Sequence, residues 1–353
     1  MSYQEIMKRL EEEIREFPQK IRRAAEVLSG ELDYRVAMTP ADIVYQEDNM
    51  RLLHYPPPLE RKKVDSPPVL IVYALINRYF MLDLEPERSF IRNLLQKGLD
   101  VYLIDWGTPS GADLYLSMDD YISDYMNTVV DWIRSQTAHE RINLMGVCQG
   151  GTFSVIYTAL YQEKIRNLIT LATPIEFDVD DAALFLWAKK FDADRIVDVF
   201  GCLPGDLANI LYLLVVPVAT VNKYVQFLNG VEDRRFVNTF LRMEKWIFDS
   251  PDMAGPVFKE WLHGLLQENL LIKNQFFLNN RHVDLRQITC PLLNVFGEKD
   301  YLAPPSTAKP LSKAVGSADV TTLGVDTGHL GIFVGGMSNK TIIPKIVNWI
   351  KKR

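Results

Sequence analysis

Cysteine is scarce in this sequence, with three residues, Cys148, Cys202 and Cys290, in a chain of 353. They stand far apart and lack the close spacing of zinc ligands, so neither a disulfide framework nor a metal site is predicted. No apolar segment of the signal-peptide type follows the charged N-terminus. A reduced cytoplasmic protein that needs no metal or cofactor is the simplest interpretation.

Long apolar runs and blocks of like charge are also missing. The longest apolar run, residues 207–221, contains Asn209 and Pro217, and at about 15 residues it is too short to cross a bilayer. We therefore predict a buried or interfacial helix there and no transmembrane segment. The net charge is −6, and no acidic block is longer than residues 11–13, which argues against a nucleic acid as partner.

From residue 69 onwards, short apolar runs alternate with segments of helical spacing. The runs are typical of buried parallel strands, and their alternation with helices implies right-handed crossovers and a doubly wound α/β sheet. An antiparallel pair of strands is expected to precede them, at 43–45 and 51–55. We predict the later strands at 69–73, 101–104, 142–145, 168–171, 292–296 and 320–323, and helices at 89–97, 118–136, 152–162 and 341–351.

The interval between the strands at 168–171 and 292–296 is too long for one crossover. It holds mostly helical and aromatic segments, which predicts a mainly helical cap inserted before the last strands. The expected domains are an N-terminal amphipathic helical segment at 1–38, a core of two parts at 39–177 and 286–353, and the cap at 178–285.

Apolar side chains with near-helical spacing lie among the charges of the first 30 residues, at Ile6, Leu10, Ile14, Ile21 and Leu28. Pro18 is expected to break or kink this helix. We expect the segment to pack on its own domain; the alternative is an arm that binds a partner. Thr39-Pro40 then predicts an N-cap followed by proline in the first position of a short helical turn.

A strand–turn–helix motif carries the first candidate for chemistry, Gly146-Val147-Cys148-Gln149-Gly150-Gly151. This is the pattern of a nucleophile elbow, with Cys148 where serine usually stands. A Cβ at Gly146 or Gly150 would collide with the neighbouring strand or helix. The elbow would present the thiol at a helix N-terminus, where the dipole and free N–H groups favour a thiolate and an oxyanion.

A thiol nucleophile needs a base, and the base needs an orienting acid. Of five histidines, His329 is the candidate base, because it follows the last predicted strand and precedes the C-terminal helix. Asp300, after the strand at 292–296, is the candidate acid, and Asp326, in the loop of His329, is its competitor. The chain order Cys148, Asp300, His329 is that of the α/β-hydrolase fold, which we therefore predict with the helical cap.

The oxyanion hole is expected to use the backbone N–H of Gln149 and a second N–H from the loop after the strand at 69–73. Leu75 or Ile76 is the predicted second donor, and sequence does not choose between them because only backbone groups matter. Arg78 in the same loop is expected to have a structural role, with a contact to a substrate phosphate as the alternative.

Cysteine in place of serine bears on the type of reaction. A thiolate that attacks a thioester forms another thioester, so the acyl group stays activated and its transfer to an alcohol runs downhill. Hydrolysis must then be suppressed by a cap that excludes water. This favours thioester acyl transfer, although hydrolases of the dienelactone-hydrolase type also carry cysteine at the elbow.

Five further stretches are distinctive: residues 72–78, 100–107, 146–151, 241–252 and Gly328-His329. Ordinary hydrolases lack the Asp-Trp-Gly and Arg-Met-Glu-Lys-Trp motifs among them. From residue 39 to the C-terminus, the chain resembles the catalytic subunit of polyhydroxyalkanoate synthases, most closely the short class III form. Two departures, Cys202 where asparagine is more frequent and Tyr79 where proline is, leave the chemistry untouched.

The resemblance implies polymerisation of (R)-3-hydroxyacyl-CoA into polyester with release of CoA, and a short-chain monomer such as 3-hydroxybutyryl-CoA. It implies Cys148 as acyl carrier, His329 as general base and Asp300 as its partner. It also implies a second, non-catalytic subunit, a homodimer and a cytoplasmic location at the surface of polyester granules.

Overall fold

The computed structural model describes residues 3–58, 65–215 and 217–353. Two small antiparallel ribbons accompany one large sheet. The strands are β1 (Asp42–Glu47), β2 (Met50–Tyr55), β3 (Val69–Val72), β4 (Val101–Asp105), β5 (Ile142–Val147), β6 (Ile165–Leu171), β7 (Cys202–Leu203), β8 (Met253–Ala254), β9 (Phe277–Leu278), β10 (Arg281–His282), β11 (Leu292–Gly297) and β12 (Val320–Val325).

Fourteen α-helices are found in the described residues. They are α1 (Tyr3–Leu28), α2 (Phe90–Gln96), α3 (Asn127–Thr137), α4 (Gln149–Tyr161), α5 (Ala183–Ala188), α6 (Ala193–Phe200), α7 (Gly205–Val215), α8 (Pro217–Gly230), α9 (Arg234–Phe248), α10 (Gly255–Glu260), α11 (Pro305–Ala308), α12 (Leu311–Ala314), α13 (Gly331–Val334) and α14 (Ile343–Ile350).

Short helical segments of other types complete the chain. The 3₁₀ turns are Tyr79–Leu82, Pro86–Arg88, Gly111–Tyr115, Gln162–Lys164 and Leu285–Gln287. The π-helical segments are Asp120–Met126, Trp261–Gln267 and Ser338–Ile342.

The large sheet has eight strands in the order β1-β2-β4-β3-β5-β6-β11-β12. β1 and β2 are antiparallel, as predicted, and β2 is also antiparallel to β4. The six strands from β4 to β12 in this order are parallel to one another. Every residue of β3 and β5 is buried, since helices cover both faces of the sheet. Alternate residues belong to different cores: Leu70 and Val72 lie in one apolar cluster, Val69 and Ile71 in the other.

Parallel pairing places the carboxyl ends of β5, β11 and β12 at the same edge of the sheet. The helices α5 to α10, which we call the cap helices, are inserted between β6 and β11. α8 and α9 pack with α1 in a third apolar cluster, formed by Ala24, Phe227, Val231 and Val237. The cap helices therefore join the N-terminal helix to the main body.

α1 continues through Pro18 for 26 residues, so the predicted break does not occur. The segment is exposed there, and water can bond the carbonyl that proline leaves without a donor. The predicted cap at Thr39 was wrong. Thr39 caps no helical turn; its backbone N–H and its hydroxyl bond the two carboxylate oxygens of Asp83, at 2.8 and 2.7 Å. The side chains of Ile6 and Leu10 lie outside the described part of the chain.

The apolar run at 207–221 forms parts of α7 and α8 and is not wholly buried, since the side chains of Ile210 and Leu214 are each 53% exposed. Among the described residues, no single helix is both long and apolar enough to cross a membrane. α7 and α8 meet the length and composition criteria only together, as a pair bent by 87°. No cluster of three or more metal-ligating side chains occurs in the described part of the chain.

Candidate active site

Cys148 stands at the sharp turn between β5 and α4. Its backbone has φ 53° and ψ −123°, a conformation that L-residues rarely adopt, and such strain persists only where neighbouring structure enforces it. The Cys148 N–H donates to the carbonyl of Leu171 at 2.9 Å, and its carbonyl accepts from the Gly151 N–H at 2.9 Å. The turn leaves the thiol partly accessible at the N-terminus of a helix.

Glycine is needed on both sides of this turn. A Cβ at Gly150 would lie 2.4 Å from the carbonyl oxygens of both Val72 and Tyr73. A Cβ at Gly146 would lie 2.3 Å from the Cα of Gly151. These approaches are far inside van der Waals contact, so α4 can start this close to β3 and β5 only because the side chains are absent.

Asp300 and His329 meet at the same edge of the sheet, after β11 and β12. The Nδ1 of His329 lies 2.7 Å from Asp300 Oδ2, and both side chains are buried. The other oxygen of Asp300 accepts from the backbone N–H groups of Leu302 and Ala303, both at 2.9 Å. The carboxylate is therefore fixed on both sides and orients the imidazole.

The charge state of His329 follows from its neighbours. Burial lowers the pKa of His329, but the Asp300 carboxylate and the Cys148 sulfur outweigh burial and raise it from 6.5 to about 10. Both partners also hydrogen-bond the ring. Because Nδ1 faces Asp300, the Nε2 side of the ring is left for the thiol. The arrangement can hold an imidazolium beside a thiolate.

Asp326, the competing acid, points elsewhere. Its side chain is 71% exposed and forms an ion pair with Lys299 at 2.8 Å. Three of the other four histidines have partners outside this site: His54 bonds Asp100 at 2.7 Å, His263 bonds Gln267 at 2.8 Å and His282 bonds the carbonyl of Asn274 at 2.9 Å. The structure thus pairs His329 with Asp300, whereas the loop neighbour Asp326 faces solvent.

The two predicted second donors of the oxyanion hole differ in environment. The N–H of Leu75 donates to Oε1 of Gln149 at 3.0 Å, so the structure contradicts its assignment as a free donor. Ile76 lines the cavity beside Cys148, together with Gln149, and is the better candidate of the two. The sequence could not show that the Gln149 side chain reaches back to this loop.

Arg78 is structural. Its guanidinium bonds Asp249, the carbonyl of Gly107 and the hydroxyl of Thr108, at 3.1, 3.0 and 2.8 Å. These contacts tie the loop after β3 to the end of α9 and to the loop after β4. Each of the three guanidinium nitrogens donates to a partner within the chain, which supports the structural role over the predicted alternative of a phosphate contact.

Cys148 and His329 open into a cavity of about 930 Å³ between the sheet edge and the cap helices. Its wall is mostly apolar, with Phe185, Phe258 and Trp261 among the contributors. An apolar cavity of this volume can hold a substrate of moderate size.

Polar groups of the cap helices also reach this wall, and the sequence analysis did not single them out for function. Two of them, Asn209 and Tyr212, stand three residues apart on one face of α7. Asn209, a polar residue inside the apolar run at 207–221, could have indicated a functional group there, because a buried amide within an apolar helix needs a partner.

Two family models match the chain. The model described as alpha/beta hydrolase fold matches residues 67–335, and the one described as Poly-beta-hydroxybutyrate polymerase (PhaC) N-terminus matches residues 5–94. The poly(3-hydroxyalkanoate) polymerase subunit PhaC of Allochromatium vinosum is 40% identical over 98% of both chains. The subunit of the same name from Synechocystis sp. is 40% identical over 98% of this chain and 94% of its own.

The chain belongs to the PhaC family of poly(3-hydroxyalkanoate) polymerases. This confirms the resemblance inferred from the five sequence stretches. A PhaC-family member with the α/β-hydrolase fold is an acyltransferase, so the predicted enzyme class is confirmed as well.

Solved structures show the fold of this PhaC-family chain. A monoacylglycerol lipase from Paleococcus ferrophilus superposes with a TM-score of 0.53 at 15% identity, over 82% of this chain and 97% of the lipase. An alpha/beta hydrolase fold protein from Nakamurella multipartita gives a TM-score of 0.50 at 13% identity, over 86% and 95% of the two chains. The predicted α/β-hydrolase fold is confirmed.

Proposed function

We propose that this chain polymerises (R)-3-hydroxyacyl-CoA, with 3-hydroxybutyryl-CoA as the monomer, through a covalent acyl group on Cys148. The observation that carries the proposal is the elbow cysteine beside a buried His329–Asp300 pair, in a chain 40% identical to polymerase subunits over nearly its full length. The assignment of Cys148, His329 and Asp300 as nucleophile, general base and partner is part of it.

The first half-reaction loads the enzyme. His329 takes the proton of Cys148, and the thiolate attacks the carbonyl carbon of the CoA thioester. The N–H groups of Gln149 and Ile76 stabilise the negative oxygen of the tetrahedral intermediate. The bond to the CoA sulfur then breaks, and the His329 imidazolium returns the proton to that sulfur, so that CoA leaves as a thiol.

The second half-reaction extends the chain. Neutral His329 removes the proton of the 3-hydroxyl of another hydroxyacyl group, and the oxygen attacks the carbonyl of the Cys148 thioester. An ester bond forms, the Cys148 thiolate leaves, and the imidazolium beside it is restored. Asp300 holds the ring for both steps and stabilises its positive charge. The apolar cavity supports the proposal, because an apolar wall disfavours water, and water would hydrolyse the acyl-enzyme.

The test is incubation with (R)-3-hydroxybutyryl-CoA, with CoA release and polymer mass followed together. We expect wild type to release CoA and to accumulate high-mass polyester, and Cys148→Ala to do neither. A Cys148→Ala variant that polymerised at the wild-type rate would refute the assignment. CoA release with free hydroxy acid and no polymer would instead identify a cysteine-elbow hydrolase, the alternative that the sequence left open.

Assembly belongs to the same proposal. We expect a homodimer that acts with a second, non-catalytic subunit at the granule surface. Large apolar side chains exposed on α1, Ile14, Phe17, Ile21 and Leu28, are available for such contacts, as each is at least 47% exposed. Light scattering of the chain with and without the second subunit tests this; a monomer under both conditions would contradict it.

A further inference from the structure

Asn209 carries a buried hydrogen-bond donor that has no partner in the described part of the chain. Its side chain is only 4% exposed, and its Nδ2 makes no hydrogen bond there. The residue lines the cavity that contains Cys148 and His329. A buried unpaired donor costs free energy, so a group of this kind at the wall of an active-site cavity points to a ligand.

A chain of hydrogen bonds runs to the Asn209 amide and uses its oxygen. The backbone carbonyl of Trp246 can only accept, so Asn77, at 3.3 Å, must turn its Nδ2 towards it. The same Nδ2 donates to Ser250 Oγ at 2.6 Å, and Ser250 in turn donates to Asn209 Oδ1 at 2.9 Å. The Asn209 oxygen is therefore occupied, and its nitrogen is the group left over.

The start of α7 is held rigidly against the same segment of chain. The N–H of Gly205 donates to Asp252 Oδ1 at 2.8 Å. A Cβ on Gly205 would lie 2.2 Å from the carbonyl oxygen of Ser250, so the helix begins as close to residues 250–252 as a backbone permits. Asn209, one turn later, therefore presents its amide from a fixed position.

Tyr212 adds a second polar group, three residues beyond Asn209 on the same face of α7. It lines the same cavity and lies close enough to Cys148 for the two groups to interact electrostatically. Burial raises the pKa of its phenol, so the hydroxyl keeps its proton and can donate. Asn209 and Tyr212 thus line one cavity whose wall is mostly apolar.

We propose that Asn209 Nδ2 and the Tyr212 hydroxyl form a subsite for the 3-oxygen of the 3-hydroxyacyl group. This rests on the proposed function, since a 3-hydroxyacyl thioester has two oxygens to place. The thioester carbonyl oxygen is bound by the N–H groups of the elbow, on the sheet side of the cavity. The 3-oxygen is the remaining acceptor, and α7 lines the same cavity from the cap side.

The subsite selects for a hydroxyl in the substrate. When two donors face an acyl chain without the 3-oxygen, they stay buried and unpaired, and sites of this kind discriminate strongly against the analogue that lacks the group. Because both groups donate to the 3-oxygen, the hydrogen of the 3-hydroxyl itself remains available to a base. The cap helices thereby set the substrate class, while the sheet edge supplies the chemistry.

The experiment compares the first turnover of CoA release from (R)-3-hydroxybutyryl-CoA and from butyryl-CoA, which lacks only the 3-hydroxyl. Asn209→Asp keeps the acceptor for Ser250 and removes the donor, and Tyr212→Phe removes the hydroxyl and keeps the ring. Asn238→Asp is the matched control: it makes the same chemical change on α9, at a partly buried amide away from the cavity wall.

We expect Asn209→Asp and Tyr212→Phe each to lower the preference for the hydroxylated substrate about tenfold. The butyryl-CoA rate should change little, which also shows that the variants fold. Asn238→Asp should keep the wild-type preference. A preference within twofold of wild type in either cavity variant would overturn the subsite, as would an equal loss with both substrates. Failure of the proposed function appears separately, as wild type that releases no more CoA than Cys148→Ala.

Discussion

The central sheet and the outer pair of cap helices, α8 and α9, are held by different kinds of contact. All four residues of β3 and all six of β5 are buried, and nearly all of these side chains are apolar. In α9, by contrast, the fully buried residues are Val237 and Arg242, so one of the two carries a charge. The sheet is stabilised by apolar burial, whereas α9 combines a small apolar cluster with polar contacts of defined direction.

Arg242 is the centre of this polar attachment. Its guanidinium pairs with Glu85 at 3.1 Å, contacts Asp33 at 3.2 Å and donates to the carbonyl of Arg35 at 2.9 Å. A second connection runs from the Trp246 indole, which donates to the carbonyl of Arg78 at 2.9 Å. A few side chains of α9 therefore fasten the sheet, the N-terminal segment and the cap together.

The difference shows which kind of contact holds each region of the enzyme in place. Apolar burial is non-directional and tolerant, so the sheet edge keeps its geometry through many small contacts. The position of α9 depends on a few such bonds, and the loss of Arg242 removes one of the two arginines that pair with the buried Glu85. The following predictions test this contrast, from the largest expected effect to the smallest.

His329→Gln should lower kcat/KM for (R)-3-hydroxybutyryl-CoA by roughly 10²–10⁴, because the general base is lost while the fold is kept. CoA release measures this. Asp326→Asn is the control in the same loop and should stay near wild type, since Asp326 is exposed and pairs only with Lys299 among the contacts described. An equal loss in the control would show that the loop, and not the imidazole, is responsible.

Arg242→Met should lower the free energy of unfolding by about 3–5 kcal/mol, because it leaves the Glu85 carboxylate buried without this partner. Urea denaturation measures the change. The double variant Arg242→Met/Glu85→Gln should recover a large part of the loss, since the charge that needed the partner is gone. A double variant that is less stable than the single one would contradict the polar attachment of α9.

Gly150→Ala should destabilise the chain by about 1–3 kcal/mol, because its Cβ would overlap two backbone carbonyl oxygens of the adjacent strand. Thermal unfolding measures this loss of stability, and the rate of Cys148 acylation should also fall in the Gly150→Ala variant. Gly336→Ala is matched, because its Cβ would meet no atom within 4 Å. If both variants were equally stable, the close approach at the elbow would not be structurally required.

The smallest effect concerns pH. Since the folded pKa of His329 is raised to about 10, protonation of this ring contributes stability that is fully present below pH 6.5 and is lost as pH rises through about 10. Wild type should therefore lose more stability between pH 7 and pH 10 than Asp300→Asn, which lacks the carboxylate that raises the pKa. If urea denaturation gave wild type and Asp300→Asn the same loss of stability between pH 7 and pH 10, this would argue against an imidazolium in the folded enzyme.

The elbow and its partners were predictable because their geometry is local. Gly146, Cys148 and Gly150 mark a strand–turn–helix, and parallel strands bring the residues after β5, β11 and β12 to one edge. The choice of Asp300 over Asp326 followed from the same argument, and the bond of 2.7 Å to His329 agrees with it. The occupied N–H of Leu75 was not predictable, since it depends on how the Gln149 side chain turns.

The sequence by itself determined the candidate nucleophile, the order of the candidate triad and the α/β class, because strand periodicity and glycine spacing are properties of neighbouring residues. Only the tertiary structure decided how the cap sits and which of its groups face the thiol. The bonds from Asn77 through Ser250 to Asn209, and from Arg242 to Glu85, join residues far apart in the chain. Such pairings are set by how helices pack on the sheet, and no local pattern encodes them.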